Sequence, residues 1–438
     1  MLPPRLLTRA AIVLRVTSSP SLARTLSLTN AIFLGLGSMI GAGLFAAFSP
    51  AARAAGNGLL VGLAVAALVA TFNALSTAQL AAAMPQSGGT YVYGRRVLGE
   101  WWGFLAGWGF VIGKTASCAA MALTFAAAVA PPGWLRPVAV VAVVVIALIN
   151  IAGVTRTARA TQIIVIFVLA AIAIAVVSGL AGGSDSSSRL TGFLTDGSLW
   201  SGGAYGILQS AGLLFFAFAG YARVATLGEE VRDPARTIPR AIIVALAVCV
   251  AVYAVVAVVL LSVLGSSAVA GSTSPVVDLA SSSGWPWAEW LVRAGAAAAS
   301  LGALLALVAG VGRTVLAMSR GGDLPAWLSA VHPRFSTPYR AEGAVAVVLV
   351  ILVSVTDLRG AIAFSSFGVL LYYFIANLSA WRQDPSERRF GRVVPTLGAL
   401  LCVLLVVTLP VSAIVTGVAV FAVGAAYRAI RLRSAVSG

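Results

Sequence analysis

Two short stretches of this chain put backbone groups, more than side chains, where chemistry can be done. The first reads Gly35-Leu36-Gly37-Ser38-Met39-Ile40-Gly41-Ala42-Gly43-Leu44-Phe45, with four glycines within nine residues of an apolar run. Glycine costs a helix about 1 kcal/mol relative to alanine, so this run favours an interruption. Unwound backbone at membrane depth persists only where protein or a water-filled cavity satisfies it. N–H groups at the start of a half-helix then form a seat for an anionic group such as a carboxylate. The same glycines also suit a close helix–helix contact, because Gly37 and Gly41 obey the small-xxx-small spacing. Taken alone, the stretch supports either reading. A dinucleotide-binding loop is excluded, since no strand–turn–helix context surrounds the glycines.

The second stretch is Phe215-Phe216-Ala217-Phe218-Ala219-Gly220-Tyr221-Ala222-Arg223, an aromatic cluster followed by Gly220 and an ionisable residue. It falls five apolar spans after the first, so equivalent halves insert into a membrane in opposite directions. Two interrupted helices at corresponding positions of inverted halves are the pattern of a carrier's substrate site. The third element is Lys114, the chain's single lysine, between Gly113 and Thr115 in the third span. An intramembrane ammonium is expensive and by default faces a cavity or a partner. Its proton affinity responds to burial, as a proton carrier requires. A snorkelling or packing lysine is the alternative.

These residues need helices to hold them, and the composition supplies them. Of 438 residues, 60% are hydrophobic and 10% charged, with a mean hydropathy of +1.00. A soluble domain needs more charge than this to cover its surface. The apolar residues come in long runs, as at 59–70, 138–149, 163–177 and 241–264. Such runs cross the hydrocarbon as helices, since every backbone polar group must be satisfied internally. The expected fold is therefore an all-α polytopic membrane protein. About twelve transmembrane helices are expected, at 28–52, 58–82, 101–130, 137–152, 162–181, 204–226, 241–264, 290–317, 343–356, 361–380, 396–410 and 412–427.

The net charge of +16 does not make a nucleic-acid surface, because the arginines sit in short loops between apolar runs. With twelve spans, twenty-one arginines fall on the face shared by both termini and five on the other. That asymmetry makes both termini cytoplasmic, and the expected location is the plasma (inner) membrane. Residues 1–26, with Arg5, Arg9, Arg15 and Arg24, read as a basic cytoplasmic arm rather than a cleaved leader, because Arg15 breaks the apolar stretch. Residues 27–427 form the membrane domain and 428–438 a cytoplasmic tail. No GxxxxGK[ST] loop occurs, which removes ATP-driven transport by this chain alone. Cys118, Cys249 and Cys402 lie in apolar segments and the single His332 in a polar loop. They give no metal-ligand spacing, so neither metal nor cofactor is expected.

Residues 38–45 resemble the first-span signature of the amino acid–polyamine–organocation transporters. Residues 81–99, AAAMPQSGGTYVYGRRVLG, are similar to that family's second-to-third-span loop. Residues 215–240, FFAFAGYARVATLGEEVRDPARTIPR, resemble its sixth span and the loop after it. Residues 313–325 and 331–341 resemble its eighth-span exit. The likeness covers roughly residues 27–425. It implies a LeuT-type five-plus-five inverted repeat, at about 27–181 and 204–380, with helices 1 and 6 broken around the substrate. It further implies that backbone N–H groups around Ile40, Gly41, Ala42 and Gly43 hold an amino acid's carboxylate. Carbonyls near Ser38, Phe216, Ala217 and Ala219 would take its amino group, and Phe218 and Tyr221 would line or gate the cavity.

Two departures stand out. Proton-coupled relatives often carry a lysine in the fifth span, whereas residues 163–168 here are uncharged; Lys114 is the candidate substitute, with a proton as coupling ion. Many relatives carry an acidic residue where Arg223 follows Ala222. Arg223 either pairs with Glu229 or Glu230 in a cytoplasmic gate or snorkels to the surface. The loop 228–234 either latches onto Arg95 and Arg96 or Arg320 when the inside is closed, or is solvated charge of little energetic weight. No Asp or Glu lies inside a predicted span core, which favours a zwitterion with a neutral side chain. Arginine stacked on Phe218 is the exception. The expected function is a secondary permease for amino acids. An exchanger of amino acids, cationic amino acids or polyamines is the alternative. A channel would show charged rings or a polar stripe, and an enzyme clustered His, Asp or Glu.

Overall fold

Segments whose backbone finds no partner in lipid close their hydrogen bonds locally, and here they do so as helices. The computed structural model describes residues 26–85, 88–153, 158–182, 198–228 and 230–436. Among these, twelve helical passes follow in order. The first is split into Leu28–Met39, Ala42–Ala46 and Phe48–Ala55, and is followed by Leu59–Ala83, Glu100–Val129, Leu135–Ile151 and Ala158–Gly182. The sixth is split into Gly203–Phe218 and Ala222–Ala225, joined by a tight turn of 3-10 helix at Ala219–Tyr221. Pro234–Val263, Pro286–Arg320, Tyr339–Val355, Leu358–Arg382, Val393–Thr408 and Val411–Val436 complete the set. Nine are long and apolar enough to cross a bilayer; the fourth, ninth and eleventh are shorter. Short helices at Thr90–Val97, Ser266–Gly271 and Pro275–Ser281 lie in the connections.

The helices sort into an inner and an outer set. Spans three, six and ten are the most buried. Span three packs on spans eight and ten, span two on six and seven, and span one on five and seven. Large apolar side chains stay exposed on the outer spans, including Val141, Leu148, Ile163, Ile166, Val347, Leu400 and Val415. In water such a surface would aggregate; here it is the lipid-facing band. Buried polar side chains pair across the interior, as with Asn377 donating to Asn73 at 2.6 Å and Gln79 to Gln383 at 2.8 Å.

Several helices run past the predicted limits, because hydropathy sees only the hydrocarbon-crossing part. Span seven begins at Pro234, a proline in its first turn, and so takes Arg236 and Arg240 into the helix. The predicted tail at 428–438 is corrected most clearly: span twelve continues to Val436, and Arg428 is buried. Its guanidinium pairs with Asp323 in the loop after span eight and lies 3.6 Å from Glu100 at the start of span three. It also lies over the rings of Trp101 and Phe104 at 5.1 and 5.0 Å. Arg95 closes the cluster, 3.1 Å from Asp323 and 2.9 Å from Glu100. In this structure Arg95 is engaged by Asp323 and Glu100 rather than by the described residues of the loop 228–234. That loop is held instead by the residue before span one: Leu26 donates to the Glu230 carbonyl and Arg232 to the Leu26 carbonyl, each at 3.0 Å.

Breaking a buried ion pair costs about 3–5 kcal/mol, because the remaining charge stays desolvated. Arg95 remains on Asp323 after Arg428→Ala, which places the expected loss near the lower end, about 3 kcal/mol. Thermal unfolding in detergent checks it: R428A should melt several degrees lower and R428K should recover part of the loss. An unchanged midpoint would show that span twelve docks by apolar contact alone.

Candidate functional site

The two interrupted helices meet. In span one the helix ends at Met39, and Ile40 and Gly41 carry the chain out of helical geometry before it resumes at Ala42. In span six the interruption is the turn Ala219–Tyr221. Gly43 faces Ala217 so closely that a Cβ on it would stand 2.5 Å from the Ala217 Cα. Gly220 lies against the Ser38 carbonyl, and a Cβ there would overlap the Ser38 peptide and stand 2.7 Å from the Met39 nitrogen. The Ser38 hydroxyl donates to the Gly220 carbonyl at 3.0 Å. Glycine is required at both places because two backbones occupy the space of a side chain.

Neighbouring spans clamp this junction. Tyr253 of span seven donates between the Met39 carbonyl at 2.7 Å and the Ala217 carbonyl at 3.1 Å, tying one interruption to the other. Lys114 of span three is 5% exposed, and its Nζ donates to the Ala219 carbonyl at 2.9 Å. Tyr373 of span ten donates to the same carbonyl at 3.2 Å. Among the described residues, no carboxylate lies within ion-pair distance of Lys114. Its ammonium is held by a helix-break carbonyl and otherwise faces the cavity.

That cavity has a volume of about 550 Å³ and runs from the breaks toward the arginine-rich face. At its closed end lie Ser38, Gly43, Phe216, Lys114, Ser117 and Met121; nearer its mouth lie Arg223, Thr226, Glu230, Arg313 and Thr314. On the opposite face a smaller pocket of about 280 Å³, bounded by Arg53, Arg136 and Arg359, shares no lining residue with it. Among the described residues, the larger cavity is the one that reaches the helix breaks.

The predicted site residues fall into two groups. Ser38, Gly43, Phe216, Lys114, Arg223 and Glu230 line the cavity. The N–H groups of Ile40 and Gly41 are engaged by the Leu36 and Met39 carbonyls at 2.7 and 2.8 Å in this structure. Ala42 and Gly43 open the second half-helix, where N–H groups lack partners within the helix. The carbonyls of Ala217 and Ala219 are taken by Tyr253 and by Lys114 with Tyr373. Neither Phe218 nor Tyr221 lines the cavity in this structure. Phe218 is fully buried against Tyr253, with ring centroids 5.0 Å apart, and Tyr221 stacks on Tyr373 at 5.0 Å. A glycine-poor aromatic run just before a break offers no cue to which ring points inward. Glu229 lies outside the described residues. Arg223 does not snorkel away; it lines the cavity and donates to the Thr226 hydroxyl at 3.2 Å.

Tyr253, Tyr373 and Arg313 were not anticipated. Tyrosine in an apolar span carries a hydroxyl that must find a partner, and that signal was present for the first two. Arg313 was legible as an arginine with no loop to occupy. It and Arg223 are the two arginines that the topology count leaves inside spans.

Residues 26–428 match the amino acid permease family over most of the chain. The chain belongs to that family. It is a multi-pass membrane transporter, not an enzyme. An uncharacterized transporter of Mycobacterium tuberculosis is 54% identical over 94% of this permease and 92% of its own length. The branched-chain amino acid permease BcaP of Bacillus subtilis is 28% identical over 91% and 90%. A methylthioribose transporter of the same organism is 28% identical over 90% of each chain.

Proposed function

We propose that this permease carries an amino acid with an uncharged side chain across the plasma membrane by alternating access, with both termini cytoplasmic and a proton as coupling ion. The observation that carries the reading is the convergence of both helix breaks on one end of a single cavity, with Lys114 bonded across to span six. The substrate carboxylate sits at the start of the half-helix at Ala42 and Gly43, supported by the dipole of the following turns. Its amino group meets the Ser38 carbonyl, one of the last-turn carbonyls that a helix end leaves unpaired. The five-plus-five inverted repeat supplies the motion, with spans one and six tilting together because Tyr253 and Ser38 join them. In this reading the cavity's mouth at the arginine-rich face is the opening to the cytoplasm.

Charge argues for the neutral substrate class. Among the described residues the cavity lining carries Lys114, Arg223 and Arg313 against one carboxylate, Glu230, with the buried Glu342 acting on Arg313 from span nine. A cationic side chain or a polyamine therefore meets a lining of net positive charge, and Phe218 is not available to stack on it. Protonated Lys114 holds the Ala219 carbonyl; loss of the proton weakens that tie and releases span six to move. A ligand binding only the folded state stabilises it by about 2.7 kcal/mol at a hundred times its Kd. Unfolding of the purified permease in detergent should therefore shift upward with one or a few neutral L-amino acids and not with L-lysine or putrescine. Stabilisation by the cationic compounds alone would refute the charge argument.

A further inference from the structure

The two arginines inside the spans come from helices ninety residues apart in sequence, yet both open onto the same cavity. Arg223 follows the break in span six; Arg313 stands ten residues beyond Ala303, which packs against Gly41 at the break of span one. Among the described residues Arg313 makes no hydrogen bond or ion pair, and Arg223 makes only its bond to Thr226. Arg313 and Glu230 act on Arg223, and Glu342 of span nine, buried against Gly312, acts on Arg313. Thr226 and Thr314 line the same cavity. A guanidinium at membrane depth is costly and persists where it serves a pathway. Among the described residues no carboxylate comes within ion-pair distance of either, and their planar forks suit a carboxylate's two oxygens.

We propose that Arg223 and Arg313 form a second carboxylate-binding station, between the helix breaks and the arginine-rich mouth, distinct from the seat at Ala42 and Gly43. It rests on the amino acid permease reading and adds a waypoint to it. A zwitterion entering or leaving by the mouth places its carboxylate on the two guanidinia, with the Glu230 carboxylate on the same wall to face its ammonium. The station therefore tightens binding from the arginine-rich side only, because on the other side the substrate meets the seat at the break first. The ligand chemistry is a carboxylate, whether the substrate's own or that of another small organic acid in that compartment.

The test uses full-length permease reconstituted with known sidedness, and labelled L-leucine as probe. Half-saturation is measured separately from the two faces for wild type, R223Q, R313Q and the double variant. A hydrogen bond to a charged group is worth about 1.5–3 kcal/mol, so losing it raises half-saturation on the arginine-rich side about tenfold or more. The opposite face should change less than about twofold. R223K and R313K, which keep the charge and lose the fork, should fall between and control for folding. Acetate added on the arginine-rich side distinguishes the sources. Acetate that competes with leucine in wild type and not in the double variant marks a general carboxylate station. Acetate without effect, alongside the one-sided shift, assigns the station to the substrate's own carboxylate. Equal shifts on both faces, or none, overturn the proposal. Failure of wild type to carry any amino acid would instead remove the permease substrate reading beneath it.

Discussion

Gly220→Ala should abolish transport while leaving a folded, membrane-inserted protein. The added methyl would enter the peptide between Ser38 and Met39, where backbone atoms of span one have no rotamer to move into. Overpacking a filled site costs about 1–3 kcal/mol and forces backbone shifts. Here the shift must separate the two half-helices whose contact makes the seat. Gly43→Ala meets the same obstacle from span one, against the Ala217 Cα. Each substitution should reduce initial uptake at least about a hundredfold, the loss that about 3 kcal/mol implies. Gly343→Ala is the control: nothing stands within 4 Å of its added Cβ, and uptake should be unchanged. Initial rates normalised to surface expression decide the matter. Wild-type rates in G220A would mean that spans one and six do not touch at their breaks during transport.

Lys114→Ala should remove both uptake and its response to a proton gradient. The lost bond to the Ala219 carbonyl is charge-assisted, worth about 1.5–3 kcal/mol, which corresponds to about ten- to hundredfold in rate or affinity. Lys114→Arg separates holding from coupling. Arginine keeps the charge and can reach the carbonyl, but it does not release its proton in a protein. K114R should therefore bind substrate and exchange it across the membrane, yet fail to accumulate it against a gradient. Uptake and pH dependence both unaltered in K114A would reduce Lys114 to a packing residue.

The class of fold was legible from hydropathy alone, because lipid permits few alternatives to helices. Both breaks were legible as well: Gly41 and Gly43 in span one and Gly220 in span six mark where backbones meet. The finer chemistry was less so. A sequence pattern does not say which N–H groups find local partners, and Ile40 and Gly41 spend theirs on Leu36 and Met39. It does not give the rotation of a helix either, so Phe218 and Tyr221 were placed in the cavity while they pack behind it against Tyr253 and Tyr373. Arg428 looked like a tail charge because the hydrophobic window ends before it. Its burial depends on Asp323, more than a hundred residues earlier in the chain, and on the rings of Trp101 and Phe104. Charges inside spans proved the most informative residues. Lys114, Arg223 and Arg313 share one cavity, although no local motif links them.

The most direct test is uptake by the purified permease in proteoliposomes, taken through each labelled neutral L-amino acid with and without an inward proton gradient. One or a few should accumulate, and faster with the gradient, while L-lysine and putrescine should not. If no neutral amino acid enters under either condition, the seat at the helix breaks is not an amino acid site and the account fails.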